Sequence, residues 1–321
     1  MAVSPKANTG YELDRGYRLR RGESVPDGIR RIAGGQLDDA HEALDGTAKL
    51  EFSKAVHDTR KSLKRLRACV RLSRDAIGPQ TYSRENTVFR MAGQQLSAVR
   101  DAQVLIDTLD ELETRFAEEL SPVLCSGLRE RLEHDREREV DVLRDNERTI
   151  AAVLGELQAA RARTPGWAFE AAGFDALAPG AGRVYRRGRK RVRQARKDPS
   201  AENLHDLRKR VKDLWHASQI LRPVAPKQMK KLSKRSHRLA DLLGDDHDLA
   251  VLRDYVELHP QAFDNEAASL ALLAVIKRRR DGLQRKALKL AKRIYSQSPE
   301  DFLRALERAW RRRMPPSPRT A

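Results

Sequence analysis

A gapless internal repeat constrains the fold of this chain more than any other feature of its sequence. VHDTRKSLKRLRACVRLSR at 56–74 aligns with LHDLRKRVKDLWHASQILR at 204–222. The alignment contains seven identical pairs: His57/His205, Asp58/Asp206, Arg60/Arg208, Lys61/Lys209, Lys64/Lys212, Leu66/Leu214 and Arg74/Arg222. Downstream, LSAVRDAQVL at 96–105 aligns with LGDDHDLAVL at 243–252 and pairs Asp101 with Asp248. Two matched blocks in one order indicate duplication of a helical unit.

The repeated unit is predicted to be α-helical throughout. Aromatic residues make up only 5% of the chain, and no stretch alternates apolar and polar residues with the period of a strand. We therefore predict an all-α protein with two similar halves. Ser24 is expected to cap the first helix, with Asp27 completing the cap. The predicted segments are a flexible arm at 1–24, a first half at 25–163, a linker at 164–182, a second half at 183–260 and a helical extension at 261–321.

The repeated helices each carry a row of cations beside an apolar stripe. At about 100° per residue, one arc of each helix collects basic side chains, about 5–6 Å apart. Such spacing fits an extended chain of anions better than one small ligand. Acids are almost missing from these arcs, so an anionic partner is expected to relieve the repulsion. The first ladder is His57, Arg60, Lys61, Lys64, Arg67 and Arg71, and the second ladder is His205, Arg208, Lys209 and Lys212.

The second half is expected to dominate anion binding. Residues 183–240 hold 20 Lys or Arg against 4 Asp or Glu, whereas residues 35–93 hold 11 against 8. Part of this excess forms a further row on one helical face. This third ladder is Lys227, Lys230, Lys231, Lys234 and Arg238.

Composition and motifs narrow the class of function. A net charge of +18 points to a polyanionic partner. The N-terminus lacks the apolar segment of a secretory signal, and no apolar run reaches membrane-spanning length, so a cytoplasmic protein without membrane contacts is expected. No phosphate-binding loop, nucleophile elbow or CxxC motif is present, which predicts a protein without catalytic residues or cofactors. The HD dipeptides at His57, His205 and His247 are typical of metal phosphohydrolases, but nearby cations disfavour a metal ion.

Several separated motifs resemble the CHAD family, the conserved histidine α-helical domain. They include YRLRRGESVPDGIRRI, VHDTRKSLKRLR, RENTVFRMAGQQLSAVRD, YRRGRKRVRQAR, LHDLRKRVKDLW and LADLLGDDHDLAVL, between about 17 and 258. The resemblance implies two antiparallel four-helix bundles with pseudo-twofold symmetry and a basic groove or pore between them. It also implies binding of inorganic polyphosphate and association with polyphosphate granules.

The resemblance assigns anion contacts to both ladders and to the helix before the second one. The contacts implied on that helix are Tyr185, Arg186, Arg187 and Arg189. Trp215 and His216 depart from strict repetition, because they replace Arg67 and Ala68. Nucleic acid is the alternative ligand, although its bases require aromatic or amide side chains that the ladders lack, Trp215 apart. A metal-dependent phosphohydrolase is a third interpretation. The oligomeric state stays open.

Overall fold

The computed structural model describes residues 16–46, 52–120, 123–145 and 147–314 of the chain. Within these ranges every regular element is a helix, and no strand occurs. The all-α prediction is therefore confirmed. The helices are α1 Val25–Leu44, α2 Phe52–Leu72, α3 Pro79–Gln95, α4 Ser97–Arg115, α5 Ser126–Asp145, α6 Glu147–Arg163, α7 Ala178–Lys197, α8 Ala201–Ile220, α9 Pro226–Leu258, α10 Glu266–Ile294 and α11 Pro299–Arg313.

Local sequence signals set several helix ends. The Ser24 hydroxyl accepts a hydrogen bond from the backbone N–H of Asp27 at 3.2 Å, as the capping pattern predicts. Ser200 caps α8 in the same way through Asn203. Gly78 adopts a φ of +76°, where a side chain would be strained, and the chain turns there into α3.

The two halves repeat one packing order. In the first half α2 lies between α1 and α3, α4 packs on α5, and α6 returns to α1. In the second half α8 lies between α7 and α9, α9 packs on α10, and α10 returns to α7. The single helix α9 corresponds to α3 and α4 together. It continues without the break that separates those two helices at Leu96. This order supports the predicted duplication, which stays a prediction.

The main hydrophobic core includes residues from every predicted segment. Tyr17 and Leu19, inside the segment predicted to be an arm, are each 1% exposed. The Tyr17 hydroxyl donates to the carbonyl of Arg65 on α2 at 2.9 Å, and the Leu19 backbone N–H donates to the carbonyl of Ile220 on α8. The segment that holds Tyr17 and Leu19 therefore packs on both repeated helices. The predicted arm at 1–15 lies outside the described residues. In the predicted linker, Trp167 is buried.

The C-terminal helices belong to the same core. Ala287 and Ala291 of α10 and Leu306 of α11 are fully buried in it. A second, distal core joins α4 and α5 to the far ends of α9 and α10. The segment predicted to be an extension thus completes both cores. No described helix combines the length and apolarity needed to cross a membrane.

Candidate functional site

The two repeated helices meet directly, and an ion pair joins them. Arg71 of α2 donates to Asp213 of α8 at 2.8 Å, and Arg210 contacts the same carboxylate at 2.9 Å. Asp213 is buried, so both arginines neutralise a charge that would otherwise be costly. Arg71 therefore holds the seam between the helices, which is a structural task within the first ladder.

Arg60 and Arg208 make matching ion pairs at equivalent positions of the sequence repeat. The Arg60 guanidinium lies 3.6 Å from Asp101 and also donates to the carbonyl of Leu96 at 2.8 Å. The Arg208 guanidinium lies 3.7 Å from Asp248. Arg60 thus joins α2 to α4, and Arg208 joins α8 to α9. Acids from neighbouring helices therefore partly offset the charge of Arg60 and Arg208, which the ladder sequences alone do not show.

The histidines of the repeat have different environments. His57 is exposed at the start of α2. His205 is half-buried, its ring lies 4.2 Å from the ring of His247 on α9, and its Nδ1 is buried without a hydrogen-bond partner in the described part of the chain. Burial and the neighbouring imidazole lower the pKa of His205 to about 4. Burial and Arg208 also lower the pKa of His247 to about 4, and the sequence singled out this residue only as part of an HD dipeptide, not as an anion contact.

Two further ladder cations, Lys212 and Arg67, are crowded at the seam between α2 and α8. Burial, with Arg208 and Lys64 nearby, lowers the pKa of Lys212 to about 7. Burial and Arg71 lower the pKa of Arg67 to about 10, and its Nε is buried without a hydrogen-bond partner in the described residues. Burial and Arg65 also lower the pKa of Lys61, whose acidic neighbours Asp58 and Asp39 lie on α2 and α1. The seam therefore concentrates positive charge that its own acids do not offset.

A second group of cations is exposed on α7 and α9. Arg186 and Arg187 are exposed, Arg189 is half-exposed, and all five residues of the third ladder are exposed. None of these eight side chains has a carboxylate partner within the described ranges. By contrast, Lys209 of the second ladder contacts Asp206 at 3.2 Å, and Asp206 also contacts Arg191 at 2.9 Å.

Tyr185 lies in the core and away from these surfaces. Its side chain is 1% exposed, its hydroxyl donates to the carbonyl of Ile294 at 3.1 Å, and its ring stacks on Phe302 at 4.4 Å. The structure thus places the predicted anion contact Tyr185 where no ligand touches it, because α10 and α11 cover that side of α7.

The carboxylates of the HD dipeptides on α8 and α9 serve as partners of basic residues. Asp206 contacts Lys209 and Arg191, and Asp248 faces Arg208. The described residues hold no group of three or more His, Cys, Asp or Glu side chains placed to bind a metal ion. The site is therefore a set of cations, some paired with carboxylates and some exposed without such a partner among the described residues.

Comparisons with known proteins agree with this architecture. A family model described as the CHAD domain matches residues 31–257. The crystal structure of the CHAD domain from the plant Ricinus communis is similar in fold, with a TM-score of 0.54 and 18% identity. The match covers 91% of this chain and 94% of that chain. No curated protein matches the sequence.

Proposed function

The chain belongs to the CHAD family, and from that premise we propose that it binds a linear polyanion, inorganic polyphosphate, without catalysing a reaction on it. The observation that carries the proposal is the set of eight cations on α7 and α9 that have no carboxylate partner among the described residues. Some basic side chains elsewhere on the described surface are paired, for example Arg161 with Asp38 and Arg304 with Asp301.

The crowded seam adds an energetic reason for an anion. Lys212 and Arg67 have lowered pKa values because burial and neighbouring cations disfavour their charged forms. A phosphate group that approaches them supplies the opposite charge and favours those charged forms. Binding therefore relieves a repulsion that folding leaves in place.

A linear ligand fits the arrangement better than a compact one. The third ladder runs over Lys227 to Arg238, about 16 Å along the helix at 1.5 Å per residue. One pyrophosphate covers one or two rungs of such a ladder, whereas a long chain contacts all of them. We extend the proposal to a place at polyphosphate granules in the cytoplasm, where long chains are concentrated.

Nucleic acid is the less favoured ligand. Single strands gain affinity when bases stack on free aromatic rings. Trp215, the aromatic residue of the two aligned motifs, is half-buried. It stacks on the ring of His216 at 4.7 Å and meets the ring of His237 edge-on at 4.4 Å. The protein's own rings therefore already contact it.

Chain-length dependence tests the proposal. We expect long-chain polyphosphate to bind far more tightly than pyrophosphate, and its affinity to fall steeply with salt. Isothermal titration at several salt concentrations measures both. Equal affinity for pyrophosphate and long chains would refute a ladder that binds an extended polymer.

A further inference from the structure

On α10 the pairing of cations with acids stops at Asp281. Before that residue, each cation has an acidic partner, and after it, residues 282–294 contain no acid at all. The paired cations are Lys277 with Asp281 at 3.1 Å, Arg278 with Glu119 at 2.6 Å, Arg279 with Glu111 at 3.1 Å and Arg280 with Asp246 at 3.1 Å. The later cations are all exposed and have no carboxylate partner in the described chain: Arg285, Lys286, Lys289, Lys292 and Arg293.

These five cations, the α10 face, lie on one side of the helix. At about 100° per residue they occupy an arc of about 120°. The opposite side is fully buried in the core at Ala287 and Ala291. Because the apolar side is already covered by protein here, residues 285–293 leave little hydrophobic surface free to enter a membrane. The α10 face therefore presents charge alone.

The α10 face points away from the third ladder's helix. Arg280 and Gln284 both contact Asp246, which shows that this side of α10 faces α9. Ala287 and Ala291 continue that side one and two turns later. The α10 face lies across the helix from these residues, so it points away from α9, the helix that carries the third ladder.

We propose that the α10 face is a second polyanion-binding surface, and that one molecule of the protein holds two polyphosphate segments at once. This inference rests on the proposed function. The cations are Lys and Arg, as in the third ladder, and they likewise gather on one helical face. Up to Asp281 the cations of α10 have acidic partners, whereas the α10 face has none in the described chain, so its charge is left for an anionic ligand. Two separate surfaces would let the protein bridge separate chains.

The bridging role is tested by stoichiometry with a polyphosphate chain too short to reach from one surface to the other. Isothermal titration should give two such chains per wild-type molecule and one for Arg285→Gln/Lys289→Gln/Lys292→Gln. Light scattering with long chains should report large assemblies for the wild type and their loss in this variant. The matched control, Lys277→Gln/Arg278→Gln/Arg304→Gln, removes the same charge from paired cations and should keep two chains and the assemblies.

Each alternative outcome is distinct. One short chain bound by the wild type, or two by the α10 variant, would overturn the second surface and leave the proposed function standing. A wild type that binds none would overturn both. An α10 variant that keeps two short polyphosphate chains but loses binding of single-stranded DNA would assign the α10 face to nucleic acid and refute the bridging model.

Discussion

Removing the middle of the third ladder should weaken polyphosphate binding without harming the fold. Lys230, Lys231 and Lys234 are exposed and have no carboxylate partner in the described residues, so each is available to one phosphate. Affinity falls as salt rises, so log affinity against log salt has a negative slope. By analogy with single-stranded nucleic acid, each lost contact reduces the magnitude of that slope by about 0.7. The triple alanine variant should therefore have a slope smaller in magnitude by about 2 and bind roughly 100-fold more weakly at about 0.1 M salt.

The assay is anisotropy of labelled long-chain polyphosphate over a range of salt, with circular dichroism and thermal melting as folding controls. Alanine is the best helix former, and exposed substitutions change stability little, so melting should move by a few degrees at most. An unchanged salt slope in a folded triple variant would refute the reasoning.

The comparison with the first half needs variants that leave Arg60 intact. Its guanidinium satisfies the carbonyl of Leu96 and faces Asp101, so its removal would leave a buried acceptor unsatisfied and confuse binding with stability. Lys61→Ala/Lys64→Ala/Arg67→Ala is the better comparison. We expect a smaller loss of affinity than in the α9 variant, and a larger loss in a folded protein would contradict dominance of the second half.

Three further predictions follow from the same structure. Affinity for long polyphosphate should rise as the pH falls from about 8 to 6, because an anion favours protonated Lys212 and burial lowers the pKa of this residue to about 7; Lys212→Arg should remove most of that dependence, and a flat wild-type profile would contradict it. Gly180→Ala should destabilise the fold by about 1–3 kcal/mol, since its Cβ would meet the carbonyl oxygen of Leu72, whereas Gly155→Ala has open space and should melt no lower than wild type. Purified protein should release no phosphate from polyphosphate or nucleoside triphosphates, with or without divalent metal, and release abolished by His57→Ala/His205→Ala would show catalysis.

The helices and the basic helical faces could be predicted from the sequence, because both are local properties of the chain. Ser24 and the Gly78–Pro79 break mark helix ends by their own chemistry, and helical periodicity placed the third ladder on an exposed face. The repeat even paired Asp101 with Asp248, although it did not show that they face Arg60 and Arg208.

The contacts that could not be predicted from the sequence depend on which helices become neighbours. Three contacts join residues from separate helices: Tyr185 with α10 and α11, Arg71 with Asp213, and the ring of His205 with that of His247. A basic helix looks the same in sequence whether an adjacent helix supplies acids or not. The same holds for the packing of Tyr17, whose partners lie on both repeated helices.

Direct competition between long-chain polyphosphate and single-stranded DNA at physiological salt tests the central claim most directly. The protein is saturated with labelled polyphosphate and titrated with unlabelled DNA of equal total charge, and the reverse titration is performed in parallel. We predict that polyphosphate displaces DNA at far lower concentration than DNA displaces polyphosphate, because the cations form ladders and Trp215 already contacts two histidine rings. Displacement of polyphosphate by an equal or smaller amount of DNA would contradict the account.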